Sequence, residues 1–129
     1  MTIAGKHQIG EVADEVGLSI RTIRHYDEMG VVEPSGRSDG GFRLYTDADV
    51  DRLRLVKHLR PLKFSLEEIQ ELLAILDSGR WGARRAERLE WFVETAAARC
   101  ETLRAQLHAA EQVAGELHAA LEARTVAPR

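Results

Sequence analysis

From Gln8 to Val16 the apolar residues Ile9, Val12, Ala13 and Val16 recur at i, i+3, i+4 and i+7, which predicts a short helix with one buried face. Gly17 suits a left-handed stop, and Ser19 then caps a second helix, because its hydroxyl accepts the unpaired amides of a first turn. In that helix, "IRTIRHYDEMG", Ile20 and Ile23 form the expected buried side. Arg21, Arg24 and His25 share the opposite, solvent-facing side at i, i+3 and i+4. A third helix opens at "TDAD", where Thr46 and Asp49 make a capping-box pattern, and carries Val50, Leu53, Leu55, Val56 and Leu59. Pro61 disturbs its last turn. "SLEE", Ser65 to Glu68, caps a fourth helix with Leu66, Ile69, Leu72, Leu73 and Leu76.

Between the second and third helices, "PSGRSDGGFRLYT" reads as a β-hairpin with Asp-Gly-Gly at its tip. Its returning strand is expected to alternate, with Arg43 and Tyr45 facing one way and Leu44 the other. A first helix, a short glycine-containing turn and a second helix with Arg21, Thr22 and Arg24 near its amino end make the arrangement that fits a major groove. A hairpin beside it reaches neighbouring phosphates, to which an arginine gives a charge-assisted bond and a tyrosine a neutral one.

The remaining chain changes period. Ala86, Leu89, Val93, Ala96, Cys100, Leu103, Leu107, Ala110, Ala114, Leu117 and Leu121 follow a heptad spacing, the pattern of a coiled coil. A lone helix with such a stripe needs a second helix, and homodimerisation supplies it. The expected organisation is a winged helix-turn-helix domain over residues 1–80, a dimerisation helix over 81–124 and a tail over 125–129.

Charge complicates the DNA reading. The chain carries a net charge of −3, and its first 80 residues hold eleven Lys and Arg against fourteen Asp and Glu. Nucleic-acid binders are usually basic, so binding must come from where the charges sit. The length of 129 residues and 44% apolar content describe one or two small domains. No run is long enough for a membrane span and the first residues lack a secretory apolar core, so a cytoplasmic location without membrane contact is expected. One cysteine, Cys100, excludes an intrachain disulfide or multi-thiolate metal site; no metal or cofactor is expected. His7, His58, His108 and His118 are scattered and read as surface residues. No nucleophile and base pair up recognisably, so an enzyme is not expected.

The blocks "IGEVADEVGLSIRTIRHYDEMGVVEP", "GGFRLYTDADVDRL" and "FSLEEIQELL", at short fixed separations, resemble a MerR-type transcription regulator over about the first eighty residues. The resemblance implies a mainly α fold with a β-hairpin wing. It implies DNA contacts at the positions matching Ser19, Arg21, Arg24 and Tyr26, at Arg37, Phe42 and Arg43 in the wing, and at Arg60 toward the backbone. His25 stands where an aromatic is common, Phe42 where a tyrosine is, and Lys63 where glycine is usual. The resemblance further implies an antiparallel homodimer over a promoter dyad in double-stranded DNA, distorting it to control initiation by RNA polymerase. An architectural or excision-type DNA-bending protein would use the same residues.

After Leu121 only "EARTVAPR" follows, so no separate effector domain is expected. Cys100 reads as a small apolar seam residue, with a thiol sensor as the rival, and no direct interchain disulfide is expected. Trp81, Trp91 and Phe92 gather near the start of the long helix. They read as packing residues, with a pocket for an apolar small-molecule effector as the alternative.

Overall fold

The computed structural model describes residues 5–78 and 82–126, with the backbone alone at 125 and 126. Contacts divide the chain into two units, Met1–Leu89 and Glu90–Arg129.

In the first unit, β1 (Lys6–Gln8) leads into α1 (Ile9–Val16) and α2 (Ile20–Glu28), followed by β2 (Gly36–Arg37), β3 (Arg43–Thr46), α3 (Asp47–Leu59), a 3-10 turn (Arg60–Leu62) and α4 (Leu66–Asp77). The capping signals act as the sequence implies. Thr46 Oγ accepts from the Asp49 amide at 3.2 Å, and Ser65 Oγ accepts from the Glu68 amide at 3.1 Å. Asp49 and Glu68 return the bond to the amides of Thr46 and Ser65. Such reciprocal caps satisfy donors that a helix start leaves unpaired. Gly17 ends α1 at φ 79°, in the left-handed region that glycine enters without a Cβ penalty.

The sheet is larger than the expected hairpin. Its order is β1-β3-β2, both pairs antiparallel, with His7 opposite Tyr45 and Arg37 opposite Arg43. The polar triplet Lys6-His7-Gln8 carries no alternation that would announce a strand. Its pairing makes β3 the central strand.

The core is built from Val12, Val16, Ile23, Tyr26, Leu44, Tyr45, Val50, Leu53, Val56, Phe64, Ile69, Leu72, Leu73 and Ile75. Two helix faces are rotated from their expected positions. Ile20 is 39% exposed, and Tyr26 joins Ile23 on the buried side, where its ring hides more apolar area than an isoleucine at the helix start. On α4 the buried stripe takes Ile75 and leaves Leu76 exposed.

The long helix α5 runs from Ala83 to Val126. In the second unit every residue from 101 to 124 is exposed within the single chain. Among the described residues no helix is long and apolar enough to cross a membrane.

Candidate nucleic-acid interface

The start of α2 is fixed by Ser19, whose Oγ accepts from the Thr22 amide at 3.0 Å and donates to Thr22 Oγ1 at 2.8 Å. Both hydroxyls serve the cap before they can serve a ligand. One turn of this pinned helix presents Ile20, Arg21, Arg24 and His25 to solvent. Neither Arg21 nor Arg24 has a carboxylate within ion-pair distance among the described residues. Tyr26 lies beneath them, buried, so its ring is part of the support for this surface.

The hairpin tip is held by the Ser38 amide donating to the Phe42 carbonyl at 2.8 Å, with Ser38 Oγ accepting from the Phe42 amide at 3.1 Å. Gly41 takes φ 82°, and a Cβ on Gly40 would come within 3.1 Å of the Phe42 ring. The turn therefore leaves the Phe42 side chain exposed. Arg37 crosses the turn, donating to the Gly41 carbonyl at 3.2 Å. Arg43 turns instead to α2, where its Nε donates to Asp27 Oδ2 at 2.7 Å. That hydrogen bond pushes the Arg43 pKa up further from its ordinary value.

Tyr45 is covered where an open side chain was expected. A phosphate contact needs an accessible phenol, but Tyr45 is 0% exposed and its hydroxyl is buried without a hydrogen-bond partner. Burial pushes its pKa up to about 12. β3 is the central strand and packs against α1 and α3, so both Leu44 and Tyr45 are covered, and the burial of Tyr45 makes it a core residue. Arg60 is exposed and donates to the Phe64 carbonyl at 3.1 Å, closing the 3-10 turn. Lys63, next to it, adopts φ 64°.

Much of the acidic charge is matched away from this surface. Arg52 reaches both Asp49 and Asp77 at 3.0 Å, Arg54 holds Glu15 at 2.8 Å, and Arg88 holds Glu71 at 2.6 Å. Among the described residues these pairs do not involve Arg21 or Arg24, which stay open on one helix face. Sequence pattern did not single out Asp27, since one aspartate on an exposed helix has no signature of its own.

In the second unit, Val93, Leu103, Leu107, Leu117 and Leu121 are exposed in the single chain, as are Ala110 and Ala114, while Ala96 and Cys100 are partly covered. Leu89, at the end of the first unit, is also partly covered. Trp91 and Phe92 meet edge to face at 4.9 Å. Trp81 lies outside the described residues.

The pattern of MerR HTH family regulatory proteins matches residues 8–75, and that of the MerR DNA-binding region matches residues 50–120. The chain belongs to the MerR family. Among its MerR relatives, the transcriptional regulator ZntR of Escherichia coli is 46% identical over 69 residues, covering 54% of this chain and 49% of ZntR. The transcriptional activator mta of Bacillus subtilis is 44% identical over 68 residues, covering 53% of this chain and 26% of mta. The chain thus spans half or less of these relatives' own length. A crystal structure of HiNmlR, a MerR family regulator lacking the sensor domain and bound to promoter DNA, matches with a TM-score of 0.73 at 25% identity. It covers 94% of each chain.

Proposed function

We propose that this MerR-family chain is a homodimeric, sequence-specific transcription regulator that binds a dyad in double-stranded promoter DNA and distorts it to control initiation by RNA polymerase. The observation that carries this reading is the partition of its arginines. Arg52, Arg54 and Arg88 are matched to carboxylates, whereas Arg21 and Arg24 stand open on the face of α2. Open guanidiniums near the amino end of a helix-turn-helix second helix are suited to guanine edges and phosphates.

The exposed heptad face of α5 supports the dimeric part. A stripe containing Leu103, Leu107, Leu117 and Leu121 is unfavourable in water and is covered when two copies pair along it, antiparallel about a two-fold axis. Two domains so joined address two half-sites. The relative bound to promoter DNA supports the same reading. The protein acts in the cytoplasm as a regulator and not as a catalyst.

The test is to capture genomic fragments on the purified protein at moderate salt and sequence those retained. A shared dyad within promoter spacers, lost for Arg24→Ala, is the expected result. Fragments without a common dyad would overturn sequence-specific regulation in favour of an architectural role. Sedimentation of the wild type and Leu107→Glu reads the dimer, which the substitution should dissociate.

A further inference from the structure

Two wing arginines converge on a single carboxylate of the recognition helix. Arg37 and Arg43 face each other across β2 and β3, a like-charge pair that is unfavourable without an anion between them. Asp27 is that anion, with Oδ2 at 2.7 Å from Arg43 Nε and 4.0 Å from the Arg37 guanidinium.

The two arginines are not equivalent. The side chains of Asp27 and Arg43 are 14% and 24% exposed, so separating them leaves a poorly hydrated charge on each side. Arg37 is 52% exposed and sits at the limit of an ion pair, which costs little to give up. We propose that Asp27 is a positioning residue for DNA recognition: it fastens the wing to α2 through Arg43, so that Arg37, not Arg43, is the wing cation delivered to phosphate. This rests on the DNA-binding reading above.

The consequence runs against simple electrostatics. Deleting an acid from a DNA-facing surface ordinarily tightens binding, because phosphate is no longer repelled. Here its removal frees the wing and weakens binding.

The experiment uses the full chain and a duplex that the wild type selects from random double-stranded DNA, with affinity measured across a salt series. Arg37→Ala should lower the slope of log affinity against log salt by about 0.9, the value for one lost phosphate contact. Asp27→Asn and Arg43→Ala should each weaken binding by roughly tenfold, as for loss of a charged hydrogen bond, with the slope unchanged. The reversed pair Asp27→Arg with Arg43→Asp should recover affinity. Arg43→Lys, which keeps the charge but loses Nε, should fall between wild type and Arg43→Ala and remains informative if Asp27→Asn fails to fold. Tighter and more salt-dependent binding by Asp27→Asn, or a slope reduced by Arg43→Ala, overturns the role of Asp27 while leaving DNA binding intact. A wild type that enriches no duplex overturns the DNA reading itself.

Discussion

The ammonium of Lys57, on α3, donates at 2.8 Å to the carbonyl oxygen of Val16, the last residue of α1. It thereby places a positive charge on an unpaired helix-terminal carbonyl, where the helix dipole favours it. Lys57→Met, which keeps the stem and removes the charge, should cost about 1 kcal/mol of unfolding free energy in urea titrations. Gly17→Ala should cost about 1–2 kcal/mol from its left-handed backbone. A Cβ there meets Lys57 Nζ at 2.6 Å, the movable end of a flexible chain, and adds little beyond the lost cap.

Asp49 is 2% exposed and accepts bonds from the Ser35 amide and hydroxyl, the Thr46 amide and Arg52. One carboxylate thus ties the start of the wing to the start of α3. Arg52 keeps Asp77 when Asp49 is removed, so the loss falls on the donors of Ser35 and Thr46. Asp49→Ala should destabilise by about 2–3 kcal/mol, with Asp49→Asn intermediate, measured by thermal unfolding.

Tyr45→Phe distinguishes a core role from a DNA contact. Its hydroxyl is buried without a partner, so removing it should leave stability unchanged or raise it by about 1 kcal/mol. DNA affinity and its salt slope should stay at the wild-type values. A marked loss of affinity in gel-shift titrations would restore the phosphate contact that the burial argues against.

Lys63 is the one residue other than glycine with positive φ among those described. Lys63→Gly removes a Cβ penalty of about 1 kcal/mol, partly offset by the greater freedom of glycine in the unfolded chain. The urea midpoint should rise slightly. If the ammonium faces phosphate, affinity falls in the same variant, separating strain from charge.

His7 Nε2 lies 2.6 Å from Asp47 Oδ1, and this hydrogen bond raises the histidine pKa above 6.5. A raised folded value means that the protonated form stabilises the fold. The contribution is fully present below the unfolded pKa and is lost as pH rises through the folded one. His7→Gln should therefore lower the melting temperature relative to wild type at about pH 5.5, and the gap should close by about pH 9. Because Asp47 is largely exposed, the effect should be small and should shrink with added salt.

The elements legible in the sequence were those specified by neighbours along the chain. "TDAD" and "SLEE" name their own helix starts, and Gly17 its own stop, since each interaction is completed within four residues. The candidate face of Arg21, Arg24 and His25 followed from helical period alone. What stayed hidden depends on pairing at a distance. β1 is recognisable only because Lys6 finds Thr46 forty residues later, and the burial of Tyr45 likewise depends on helices packed against β3. Tyr26 could be assigned inward only by knowing how much ring area α2 covers. The Asp27–Arg43 bond joins residues sixteen apart on different elements, so its role is written in geometry rather than in pattern.

A helix whose residues 101–124 are all exposed inside their own chain draws little tertiary packing from that chain. In the proposed dimer its apolar stripe is covered only when another copy is met, so the stability of this segment follows mass action. In the proposed dimer, abundance then sets more than the number of regulators in a cell: below the dissociation constant of the pair the supply consists of single DNA-binding heads. For such a dimer, occupancy of a two-part site rises more steeply than linearly with gene dosage, a threshold built from nothing more than an exposed row of leucines.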